Sequence, residues 1–314
     1  MATTDLVRKQ DWISSSPLIC LNLAPGGAKG AYQAGALLRL AEKGIRFDRV
    51  LGSSIGALNG AFYVQGTGSP EEMTHLCKVW LSLPETFSIT MILSIISKMS
   101  EMMQRAKTFE SAFASLFEDV LSGRDGFLGD MPLVSIVDSV IDYKAVCRSP
   151  KELIIATMEG FGFLFDVLMA PAREPVYLSS FHLDGNSLRR ALLASASIPV
   201  LFRAQSLWGA KLVDAGWARL SLEPLLVGSR RPSAIVSIDF PTSNFCNCYE
   251  RCRAQGIRVI RISPSRNIDT SFSSVLNFSR QFILDLMELG YEDAGKAVDE
   301  AFILEHQKGY PEFY

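Results

Sequence analysis

Two residues of this chain have the type and setting for covalent chemistry, a serine and an aspartate far apart in sequence. Ser54 stands in Gly52-Ser53-Ser54-Ile55-Gly56, a G-x-S-x-G pattern between the apolar pair Val50-Leu51 and a run of small residues. The pattern predicts a strand, a tight turn with serine at its apex and a helix, with glycine where a side chain would strike the neighbouring strand or helix. Amides of the new helix point at the apex and stabilise negative charge developing there, which suits a nucleophile. Asp214 closes the apolar run Lys211-Leu212-Val213 and precedes Ala215-Gly216. A carboxylate at a strand's carboxyl end can accept a serine proton once partial desolvation raises its basicity. It equally suits a turn cap or an ion pair with Arg219 or Arg203, and Asp239, at the end of another apolar run, competes for the role of base. Gly26-Gly27-Ala28-Lys29-Gly30 lacks the spacings of nucleotide-phosphate loops. It suits backbone amides that hold an oxyanion, an interaction commonly worth ~3 kcal/mol per donor. Lys29 would reinforce that loop or meet an anionic head group.

The elements that must position these groups follow from periodicity and punctuation. Leu18 to Leu23 reads as a buried strand ending at Pro25-Gly26-Gly27, then a helix at about 30–42, a second strand at 49–51 and the Ser54 turn. Two successive strand-to-helix turns of a parallel sheet lie side by side, so the glycine loop and Ser54 face one crevice. Further on, helices are expected at 69–83, 131–138, 188–197 and 273–296, and strands at 152–157, 176–180, 211–213, 234–239 and 256–262. Residues 88–121 read as one or two amphipathic helices, either packed over the sheet or acting as a lid whose methionine-rich face touches lipid. Residues 161–169 read as a hairpin or flap, and Cys246-Asn247-Cys248-Tyr249-Glu250-Arg251-Cys252 as a loop rather than a zinc site, with no second ligand pair nearby.

At 314 residues and 48% hydrophobic composition the chain can bury a large core. A net charge of -2 argues against nucleic acid as a partner. Six scattered cysteines suggest a reducing compartment, and no signal peptide or transmembrane segment is evident, so a cytoplasmic protein with peripheral attachment to membranes is expected.

Four blocks together resemble the patatin-like phospholipases: residues Gly26 to Gly35, Gly52 to Gly56, Ala194-Ser195-Ala196-Ser197-Ile198-Pro199 with Phe202, and Val213-Asp214-Ala215-Gly216. Leu289-Gly290-Tyr291-Glu292-Asp293-Ala294 resembles bacterial members. The resemblance implies an α/β fold, a three-layer α/β/α sandwich around a mostly parallel sheet. It also implies metal-free and cofactor-free cleavage of lipid acyl esters by a Ser/Asp dyad. Carried over, Ser54 is the nucleophile, Asp214 the base, and the amides of Gly26, Gly27 and Ala28 the oxyanion hole, with Lys29, Gly30, Gly52, Gly56 and Gly216 as supporting motif residues. Two departures are Pro25, where the family has a third glycine, and Ala215, where it has a glycine that positive φ would require. The expected organisation is an extension at 1–16, one patatin-like domain at 17–300 interrupted at about 86–122 by the amphipathic segment, and a tail at 301–314. Two other readings remain: a Ser, Asp, His triad using His306, placed in the polar tail after the last helix, and a silent patatin-fold protein that only binds lipid. The lipid head group and the oligomeric state are not encoded in any motif.

Overall fold

The computed structural model describes residues 17–86, 131–160, 172–198, 202–241, 246–269 and 271–307. The expected extension at 1–16, most of the amphipathic segment, the flap at 161–169 and the end of the tail lie outside these residues.

In chain order the strands are β1 (Leu18–Leu23), β2 (Arg49–Ser53), β3 (Glu152–Glu159), β4 (Val176–Ser179), β5 (Gln205–Leu207), β6 (Ala210–Asp214), β7 (Pro232–Ile238) and β8 (Arg258–Ile262). Five of them form a parallel sheet in the order β3-β2-β1-β7-β8. Their sequences are nearly continuous apolar runs because helices cover both faces. Against β3 the sheet turns antiparallel: β4 pairs along Ile154 to Thr157, β6 along Thr157 to Glu159, and β5 adds to β6.

The helices are α1 (Gly30–Glu42), α2 (Ile55–Gln65), α3 (Pro70–Thr86), α4 (Met131–Val140), α5 (Tyr143–Arg148), α6 (Gly185–Ser195), α7 (Cys246–Ala254) and α8 (Arg280–Gln307). The expected α/β/α architecture is present. α7 corrects the loop expected around the cysteines: Tyr249 and Cys252, three apart, are buried while Glu250, Arg251 and Arg253 face outward, a one-sided helix hidden by its polar composition. The expected helix at 273–296 is instead a single turn, Phe272–Val275, followed by a break and α8. At the break the Asn277 side chain accepts from the Ser279 amide, diverting a backbone donor from helical pairing. α8 continues to Gln307, so His306 lies on its last turn rather than beyond it.

α1 and α8 meet at their backbones. A Cβ on Gly35 would strike the Met287 carbonyl, and one on Gly290 would strike the Tyr32 carbonyl. Beside this crossing Tyr32 Oη donates to Asp293. Because backbone cannot yield as a side chain can, Gly290→Val is expected to cost ~3 kcal/mol and lower the melting temperature by ~5–10 °C. Circular dichroism melts would check this.

Candidate active site

Ser54 follows β2 and caps the start of α2 with φ 55° and ψ -128°, a conformation that costs a non-glycine residue ~1–3 kcal/mol. The glycines around it permit the turn. A Cβ on Gly52 would lie 2.5 Å from Ala57 Cα, and one on Gly56 would strike the Leu23 carbonyl at the end of β1. A serine at a helix start normally caps the first amides, but this side chain makes no such bond. Its Oγ instead donates to Asp214 Oδ2 at 2.6 Å, across 160 residues of sequence.

Asp214 is the last residue of β6 and is 3% exposed; Ser54 is 5% exposed. Its other oxygen accepts from the Gly216 amide at 2.6 Å, so the turn-capping role coexists with the contact to Ser54. Burial pushes the Asp214 carboxyl up to about 7, with the bonds from Ser54 and Gly216 opposing that rise. Ala215 carries no backbone strain, because among the described residues only Ser54 and Trp208 are non-glycine positions with positive φ. Asp239, the competing carboxylate, is elsewhere: it accepts from Arg261 Nε at 2.9 and 3.0 Å and from Tyr249 Oη. Of the histidines whose side chains are described, His75 packs edge-on against Phe62 and His182 is exposed in a 3-10 turn.

The glycine loop follows β1, the strand next to β2. Gly27 has φ 56° and a Cβ there would strike the Val275 carbonyl, so only glycine fits. The amides of Gly26, Gly27 and Ala28 find no acceptor among the described residues. Lys29 is buried with its ammonium 5.8 Å from the Phe240 ring, and burial lowers its pKa against the opposing pull of Asp269. A Cβ on Gly216 would meet Pro25 Cβ at 3.1 Å, which brings the Asp214 turn against the start of the glycine loop.

Several residues that position these groups are not evident from sequence spacing. Ser195, the last residue of α6, accepts from the Ser54 amide at 2.9 Å and donates to the Ala156 carbonyl of β3 at 2.7 Å. Two residues on, the Ser197 carbonyl accepts from the Asp214 amide at 3.0 Å, so one short segment holds the backbone of both. A buried network brackets the glycine loop. Gln33 Nε2 donates to the Ala24 carbonyl, Asn59 Nδ2 to the Gly30 carbonyl and to Gln33 Oε1, and Trp80 Nε1 to Asn59 Oδ1. The only available signal was a polar residue inside an otherwise apolar or small-residue helix. Ser195→Ala strands two buried backbone groups, each worth ~1–3 kcal/mol, and is expected to lower turnover ~10–100-fold while KM changes little. Steady-state kinetics on a soluble ester would measure it.

Among the described residues no cluster of three His, Cys, Asp or Glu is arranged to hold a metal ion, and no helix is long and apolar enough to cross a membrane.

The family model for patatin-like phospholipases matches residues 23–222. A curated relative, patatin-like phospholipase domain-containing protein 7 of Rattus norvegicus, is 33% identical over 111 residues, 32% of this chain; the match spans 7% of that protein's length. Among solved structures, VipD from Legionella pneumophila matches 91% of this chain and 68% of its own at 13% identity and a TM-score of 0.45. Human GIVD cytosolic phospholipase A2 with methyl gamma-linolenyl fluorophosphonate matches 95% of this chain and 61% of its own at 13% identity and a TM-score of 0.46.

Proposed function

Because the chain belongs to the patatin-like phospholipase family, we propose that it hydrolyses fatty acyl esters of lipids through an acyl-Ser54 intermediate, in the manner of a phospholipase A or lysophospholipase. The observation that carries this reading is the 2.6 Å bond between a buried hydroxyl on a strained turn and a buried carboxylate whose pKa lies near 7. A general base works best when its pKa is close to the working pH.

Asp214 takes the proton as Ser54 Oγ bonds to the ester carbonyl carbon. The carbonyl oxygen becomes an anion held by the amides of Gly26, Gly27 and Ala28. Collapse breaks the bond to the alcohol oxygen, which leaves with the proton from Asp214. Water then attacks the acyl-serine and gives a proton to Asp214, the fatty acid departs, and the proton returns to Ser54. No step requires a metal or an organic cofactor. The substrate lies at a membrane surface, and the protein works there as a peripheral cytoplasmic enzyme.

A fluorophosphonate probe tests the reading: it should label folded protein at Ser54, identified by peptide mass. Folded protein that carries no label at Ser54 would instead favour a silent lipid-binding scaffold.

A further inference from the structure

Leu284 on α8 apart, the large apolar side chains left exposed among the described residues fall into two groups. Phe181 and Val227 lie toward the amino ends of the parallel strands, beside Leu153 and Arg49. Two tryptophans lie toward the carboxyl ends, where the crevice opens: Trp217, just after Asp214 and Gly216, and Trp208, which is 69% exposed. The register fixes where Trp208 stands. β6 runs against β3 with Asp214 opposite Thr157 and Leu212 opposite Glu159, and the Gly160 amide reaches the Lys211 carbonyl. The turn joining β5 to β6 therefore lies beyond the end of β3, roughly 20 Å past Asp214 at ~3.3 Å per residue. It stands beyond the ends of β2 and β3 beside which Ser54 and Asp214 sit.

That turn is built against local preference. Trp208 and Gly209 have φ of 49° and 86°, the two positive angles of a tight hairpin turn that favours asparagine or aspartate before glycine. A bulky residue with positive φ is a rare outlier, and here the largest side chain of all occupies the position. No packing explains it: Trp208 touches no ring or hydrogen-bond partner among the described residues, and a Cβ on Gly209 would meet nothing within 4 Å. The stem is rigid nonetheless. Leu207 and Leu212 are buried, and Arg190 Nη1 of α6 donates to the Ser206 carbonyl at 2.9 Å. Arg190, Arg203 and Lys211 are exposed around the stem, with Glu159 the acid on the facing strand.

We propose that the Trp208-Gly209 tip is an interfacial anchor that seats the mouth of the crevice on a lipid bilayer. An indole prefers the boundary between acyl chains and head groups, and nearby cations favour an anionic leaflet. A rigid stem delivers the ring to that depth and leaves Ser54 and Asp214 at the crevice floor facing the membrane. The inference rests on the lipid-hydrolase reading for its choice of partner, but its test does not depend on turnover.

The informative variant is Trp208→Asn, since asparagine suits the turn and preserves or raises thermal stability. Wild-type and variant protein are floated with vesicles of phosphatidylcholine and phosphatidylserine, and both are assayed on a soluble short-chain ester. The variant is expected to lose roughly tenfold in vesicle binding and to hydrolyse the soluble ester at the wild-type rate. Bromine-labelled acyl chains should quench wild-type fluorescence more strongly than that of the variant, which keeps Trp217. Equal flotation of the two proteins, or no flotation of wild type, overturns the anchor. Wild type that floats but cleaves no ester leaves the anchor standing and overturns the hydrolase.

Discussion

Ser54→Ala protein, incubated with mixed phospholipid vesicles, is expected to release fatty acid at least ~10⁴-fold more slowly than wild type. The loss is large because among the described residues no other hydroxyl bonds to Asp214, and Ser195 is committed to the Ser54 amide and the Ala156 carbonyl. Lipids consumed only by wild type would identify head group and acyl chain together, by mass spectrometry of the same incubation. A companion variant separates chemistry from folding. Ser54→Gly removes the penalty of a side chain at φ 55° and should be more stable than Ser54→Ala by ~1 kcal/mol while equally inactive. Turnover that survives either substitution would move the nucleophile elsewhere and end the mechanism.

Asp214→Asn is expected to lower kcat by ~10³-fold or more, because an amide cannot accept the serine proton. In wild type the carboxyl is pushed up to about 7, so kcat/KM should climb as pH rises through that value and the group loses its proton. Stability moves the other way. A carboxyl whose folded pKa exceeds its unfolded value of 3.8 favours the fold below that value, and this contribution is lost as pH rises to about 7. Asparagine does not titrate, and it can keep both contacts, accepting from the Gly216 amide and donating to Ser54 Oγ. The variant should therefore exceed wild type in stability by ~2–4 kcal/mol at about pH 8, the gap closing toward about pH 4. Urea melts across that range would measure the difference. A pH-independent gap would show that the carboxylate is not buried as a charge.

What could be read from sequence divides by the range of the interactions involved. The turn at Ser54 is legible because its signature is local: Gly52 relieves a clash with Gly56 and Ala57 within the motif, although the clash that Gly56 avoids is with Leu23 of β1. The parallel core is legible for a similar reason, each strand being a short apolar run with its own turn chemistry. Asp214 is legible as the end of a strand, but its meeting with Ser54 depends on β6 running antiparallel beside β3, which no local pattern announces. Ser195, Gln33, Asn59 and Trp80 are harder still, since several of their partners are carbonyls or amides whose identity leaves no trace in the side-chain alphabet. α7 was hidden by charge, with only Tyr249 and Cys252 to mark its inner face. The Trp208 turn could be noticed only once its angles were known, because Trp-Gly is no hairpin signature.

The crossing of α1 with α8 sets an order on how the molecule comes to life. The ribosome releases α8 after every other described element, yet α8 lies backbone to backbone against the helix that springs from the glycine loop. From the synthesis of Asp214 until α8 is complete, a nascent chain therefore carries its serine, its carboxylate and its amides without the helix that packs behind the glycine loop. A bulky residue at Gly290 should lengthen that interval.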